Sequence, residues 1–133
     1  MSSSASNKIR LVAAVSGIYD ACVGIVMILG RPLLAQLFAL SLPTPPIHAD
    51  LNGIFLLSIA AGYLIPYRDP RSSSGRAYLW IMGAMLKGLG AAAFVLDYYV
   101  RHSPKSFLIF ALSDGALALL SAAVLLTSTE SDG

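Results

Sequence analysis

Charge is scarce in this chain. Asp, Glu, Lys and Arg make up 12% of its 133 residues, against about 25% in soluble domains, and that shortage excludes an ordinary soluble fold. Cysteine is scarcer still. Cys22 stands alone, so an intrachain disulfide, a CxxC redox pair and a thiolate metal cluster are all excluded. The familiar catalytic signatures are missing too: no Walker A, HExxH or Ser-His-Asp-type pattern occurs, which argues against the common soluble enzyme chemistries. Gly88-Leu89-Gly90-Ala91-Ala92-Ala93 fits GxGxxA, but it lies inside an apolar stretch with no strand before it, so it fails as a dinucleotide loop. His48 and His102 fall in separate loops without ligand spacing, a poor metal signal. The net charge is +2, yet the basic residues form no tract, and a nucleic-acid partner is not expected.

Apolar residues are abundant. They make up 56% of the chain, with a mean hydropathy of +0.73, the composition of a polytopic membrane protein. The expected fold is all-α: a bundle of four transmembrane helices with a short interfacial helix between the first two. A polar N-terminal tail, 1–8, precedes a membrane domain over 9–126 with spans at 9–30, 45–67, 77–100 and 106–126. The first span is about 22 residues, longer than a signal-peptide core, and is read as retained. It stops at Gly30-Arg31-Pro32, a helix end followed by a helix-opening proline. The next stretch, 32–42, is too short to cross a bilayer and reads as a helix lying on or re-entering it. Pro43-Thr44-Pro45-Pro46 breaks the chain, with Thr44 as N-cap and Pro45 as first helical residue of the second span. Tyr67 to Arg76 is a polar, basic loop, and a polar tail, 127–133, closes the sequence.

Lys8, Arg10, Arg68, Arg71 and Arg76 fall on one side of the spans, against Arg31, Arg101 and Lys105 on the other. The positive-inside rule then puts both termini in the cytoplasm of a bacterial inner membrane.

Asp20, Lys87 and Asp114 sit near the middle of three different spans. A charge there costs on the order of 3 kcal/mol on insertion scales, so it faces a partner or a watery cavity. At about 1.5 Å of rise per residue all three come to roughly 15–18 Å from the cytoplasmic edge. Each lies among small residues: Ala13, Gly17, Ala21 and Gly24; Gly83, Ala84, Gly90 and Ala91; Ala111, Ala118 and Ser121. Small residues at helical spacing mark helix contacts in membranes, so the three charges are expected to form one cluster. Fully ionised it carries a net charge of minus one, which a low-dielectric interior resists, and a shared or bound proton is expected. Two readings stay open: a proton relay or cation site, and a structural bridge that fixes helix register.

Other polar residues are candidates of lesser weight. Tyr19 adjoins Asp20, and Asn52 and Tyr63, 11 residues apart, would share a face of the second span. At the outer end His48, Asp50 and Asp97 gather with Asn52, and Asp97 with Arg101 has the spacing of a helical ion pair. Tyr78 and Trp80 at one end of the third span, and Tyr98 and Tyr99 at the other, have the placement of aromatic belts.

Ile18-Tyr19-Asp20 followed by Gly24, the Gly-Arg-Pro stop, Tyr63 with Arg68-Asp69-Pro70, the basic Lys87, and Ser113-Asp114 together resemble the small four-helix DoxX-like bacterial membrane proteins. The resemblance implies a four-helix membrane bundle and, for some relatives, a subunit or partner of membrane redox or thiol-stress complexes. With Cys22 alone, no thiol chemistry and no catalytic residue are carried over. The expected role is a non-enzymatic accessory or interaction subunit with no cofactor or metal, held in the lipid bilayer with another copy of itself or another membrane protein. A proton-coupled transporter acting as a dimer is the alternative. A lipid-binding or enzymatic site near the outer-end residues is a third reading.

Overall fold

The computed structural model describes residues 3–42 and 44–130, and among these there is no strand. Helix α1 (Ser3–Leu29) is followed by the short α2 (Arg31–Leu37), then α3 (Ile47–Gly62), α4 (Leu64–Arg68) and α5 (Ser73–Tyr78). A π-helical segment, Leu79–Leu86, runs directly into α6 (Lys87–Arg101). A 3-10 turn, Lys105–Phe107, opens α7 (Leu108–Glu130). Joined end to end these make four helices long and apolar enough to cross a membrane: Ser3–Leu29, Ile47–Arg68, Ser73–Arg101 and Lys105–Ser128. The shortest has 22 residues, about 33 Å of helix.

Several boundaries differ from the sequence reading. The stretch read as a polar tail is helical from Ser3, because Ser6 and Ile9 are already buried and extend the packed face. At the other end α7 continues to Glu130, and residues 131–133 lie outside the described residues. The interfacial helix is shorter than read. It ends after Leu37, with Ala39 in the left-handed region (φ 51°) and backbone bonds from Leu40 N to Ala35 O and from Ala39 N to Gln36 O, the Schellman closure of a helix. Thr44 does not cap the second span: α3 begins at Ile47, after Pro46, with no side-chain cap.

The second span is broken at Tyr63, between α3 and α4. Pro66 explains the break. It has no N–H for the carbonyl of Gly62 four residues back, and its ring crowds that carbonyl. Tyr63 N instead shares the carbonyls of Ile59 and Ala60, each at 3.2 Å.

Packing follows the hairpins. α1 lies against α3 and α4 on one side and α7 on the other, while α6 and the π-helical segment lie against α7. Glycine sets the α1–α3 distance: a Cβ on Gly24 would sit 2.8 Å from Gly53 O, and one on Gly53 would sit 2.8 Å from Gly24 O. The second and third spans are tied at the end where the chain termini lie. There Tyr78 Oη donates to Ile59 O at 2.5 Å, and its ring meets Tyr63 edge-on at 5.3 Å. Tyr78 is therefore a packing residue rather than part of a belt. An apolar core of Ile9, Val12, Ala13, Tyr63, Leu79 and Leu125 fills this end. Outside it, Leu112 and Leu119 of α7 are each 74% exposed.

Tyr78→Phe tests that tie. The ring contact survives and Ile59 O keeps its bond from Tyr63 N, so the loss is one hydrogen bond, about 1 kcal/mol. A small drop in melting temperature is the expected reading; no drop at all would mean that the bond contributes nothing.

Candidate functional site

The three mid-span charges meet. Lys87, the first residue of α6, places Nζ 2.6 Å from Asp20 Oδ1 on α1 and 3.4 Å from Asp114 Oδ1 on α7. The side chains of Asp20 and Lys87 are 3% and 6% exposed, and that of Asp114 is 18% exposed. Two carboxylates thus share one ammonium, with Asp20 the closer and more enclosed partner. Tyr19 completes the group from the other side. Its ring centroid lies 4.9 Å from Lys87 Nζ, within cation–π range, and its hydroxyl pairs with Ser113 Oγ at 2.7 Å.

Local sequence builds this arrangement. Gly17 admits Tyr63, whose Cβ would lie 3.2 Å from a Cβ at that position, and Gly24 admits α3. The small residues on α1 therefore draw the second span in, which leaves Asp20 facing the third and fourth spans. The π-helical segment before Lys87 widens the turn and shifts the residues after it out of α-helical register. Inside it Gly83 is pressed against Ser121, whose Oγ would lie 2.6 Å from a Cβ there.

Three buried hydroxyls lie beside the triad toward the end that holds the chain termini. Ser16 precedes Asp20 by one turn, Tyr63 covers Gly17, and Ser121 covers Gly83 one turn before Lys87. Ser16 and Ser121 are 0% exposed and Tyr63 is 2% exposed; the Tyr63 and Ser16 hydroxyls lie close enough to interact with each other, while Ser121 Oγ has no hydrogen-bond partner among the described residues. The apolar core separates this layer from the polar end of the bundle. Sequence reading named Tyr63 and the small face of Ser121 but missed Ser16, since a serine in an apolar run gives no signal until its neighbours are known.

Asn52 and Tyr63 do not have the same surroundings. Asn52 is exposed while Tyr63 is buried, although α3 runs unbroken from Ile47 to Gly62 between them. The outer-end residues do not form one site either. Asp50 is ion-paired with Arg31, a contact between separate helices that spacing could not reveal. Asp97 pairs with Arg101 at 3.1 Å across one turn and accepts from Ser103 Oγ. His48 and His102 are exposed, and no His, Cys, Asp or Glu group suited to a metal occurs among the described residues. Also at this end Phe38, following α2, stacks on Phe107 and Phe110 at 5.8 and 5.4 Å, and Phe94 joins Phe110 at 5.5 Å. Aromatic residues this far apart in sequence give no hint of such a cluster.

Comparison with family models, curated proteins and solved structures returned no match. The arrangement itself is what bears on function. It can neutralise a buried lysine, hold three helices in register, and keep one carboxylate in surplus over its cation.

Proposed function

We propose that the chain is an integral membrane protein of four spans, acting as a non-enzymatic accessory or interaction subunit whose Asp20–Lys87–Asp114 triad fixes how its helices assemble. One observation carries the reading: Lys87 reaches carboxylates on two other helices, so each mid-span charge has a partner within the bundle, as a structural bridge requires. Four apolar helices with large side chains such as Leu112 and Leu119 turned outward support the bilayer as their surroundings. The five basic residues at the end holding the chain termini support a cytoplasmic placement of that end in a bacterial inner membrane. Small bundles of this kind bury little surface of their own, which favours a second copy or another membrane protein as partner. The DoxX-like features support the same class, since the Tyr19-Asp20 and Ser113-Asp114 pairs converge on Lys87.

Proton-coupled transport is the second reading, favoured by the surplus carboxylate and the three buried hydroxyls beside it. Protein reconstituted in liposomes with an internal pH dye separates the two. As an accessory subunit it gives no proton-driven flux across a panel of cationic, anionic and neutral solutes. A flux abolished by Asp114→Asn, with melting unchanged, would replace the subunit reading by the transporter.

A further inference from the structure

A second polar feature lies at the end of the bundle that holds the chain termini. The start of α1 and the loop after α4 enclose an open cleft of about 330 Å³, lined by Ser3, Ser6, Arg10, Arg68, Asp69 and Arg71 among others. Three guanidiniums face one carboxylate there, so the cleft carries a positive excess. None of the three arginines has a salt bridge among the described residues; Arg71 is held only through Nε, which donates to Ser6 Oγ at 3.3 Å. The wall is rigid. Ser72 Oγ donates to Asp69 O at 2.8 Å and accepts from Gly75 N at 3.1 Å, and a Cβ on Gly75 would lie 2.7 Å from Asp69 O. The loop is thus closed on itself, and Arg71 Nε joins it to Ser6 of α1.

Guanidinium groups without an ion-pair partner, gathered round one cleft, suit the tetrahedral oxygens of a phosphate ester. What borders them narrows the ligand. Leu11 follows Arg10 and is 64% exposed, while Leu64 and Ile65 precede Arg68 at 48% and 45%. Leu64 and Ile65 stand one helical turn before Arg68, and Leu11 lies one residue deeper than Arg10, so exposed apolar side chains are offered on the bundle side of the arginines, which a free phosphate would leave uncovered. We infer that the cleft of Arg10, Arg68 and Arg71 binds the phosphodiester headgroup of an anionic phospholipid, whose acyl chains lie along Leu11, Leu64 and Ile65. The inference rests on the four-span reading above.

The test uses the full chain in detergent micelles, with bound lipid counted by native mass spectrometry. Dioleoyl phosphatidylglycerol should be retained about tenfold more tightly than dioleoyl phosphatidylcholine. Arg68→Gln alone should weaken phosphatidylglycerol retention by about fivefold, and Arg10→Gln/Arg68→Gln/Arg71→Gln should bring the two lipids level. Arg101→Gln/Lys105→Gln, at the other end, should leave the preference intact. A preference that survives the triple change, or that the far-end pair abolishes equally, overturns the site. Complete displacement of phosphatidylglycerol by millimolar inorganic phosphate overturns the lipid as occupant in favour of a free anion. Should the triple variant misfold by circular dichroism, Arg68→Gln decides alone. Alkaline extraction of the source membranes separates this inference from the reading beneath it. A chain washed free overturns both, whereas a chain that stays in the membrane without lipid preference overturns only the lipid site.

Discussion

Lys87→Met should destabilise the protein by about 3–5 kcal/mol, the cost of leaving buried charge without its partner. Two carboxylates depend on this ammonium, at 2.6 and 3.4 Å, and methionine matches the lysine stem in bulk, so lost packing contributes little. The loss is read as a lower unfolding midpoint in micelles. If unpaired charge is the cause, neutralising the whole triad in Lys87→Met/Asp20→Asn/Asp114→Asn should recover most of it, because an uncharged core of similar volume is about as stable as a buried ion pair. A neutral triad as unstable as Lys87→Met would move the cause to packing. The exchange Asp20→Lys/Lys87→Asp adds a geometric check. It should regain part of what either single change loses; no recovery at all would mean that Asp20 and Lys87 do not act as a pair.

The closest approach of two helices gives the second large effect. Gly24 and Gly53 face each other across α1 and α3, and a Cβ on either meets the other's backbone oxygen at 2.8 Å. A side-chain obstacle could rotate away, but a carbonyl in a helix cannot, so valine at either site must push the helices apart. Each of Gly24→Val and Gly53→Val is expected to cost about 3 kcal/mol, the upper end of the usual overpacking range. The valine also falls on the α1 face that presses α3 and α4 into place, one turn from Asp20. Gly88→Ala is the control: its Cβ would meet only Ala118 Cβ, at 3.8 Å, an ordinary contact, and stability should hold. Equal losses at Gly24 and Gly88 would show that the penalty reflects glycine removal in general.

Much of the architecture was legible in the sequence, for physical reasons that also explain what was not. Long apolar runs announce the four helices because length and hydropathy are local properties. The meeting of Asp20, Lys87 and Asp114 followed from their equal depth together with the small residues around each, which mark the faces where helices touch. Face assignments fared worse. Counting at 3.6 residues per turn placed Asn52 with Tyr63 on one polar edge, yet Asn52 is exposed and Tyr63 buried, because exposure depends on what packs against the helix at each level. The π-helical stretch before Lys87 likewise has no signature in Leu79–Leu86 that a helical wheel would register. Contacts that join separate segments, Arg31 with Asp50 and Phe38 with Phe107 and Phe110, depend on how loops return, and nothing in the spacing of those residues encodes it. The cleft of Arg10, Arg68 and Arg71 shows the same division: the sequence reads these residues as orientation signals, and only the fold brings them around one space.

The order of packing divides the three charges between two helical hairpins. The first two spans form one hairpin and the last two another, and the ions are divided unequally between them. Lys87 and Asp114 belong to the second hairpin and can neutralise each other as soon as it closes. Asp20 belongs to the first, whose own residues offer it no ammonium at that depth. On the four-span reading proposed above, the first hairpin without the third span would hold Asp20 without a cation in an apolar setting. On that reading, the two hairpins differ in that only the second is self-sufficient in charge, and the first depends on it for the cation that Asp20 lacks.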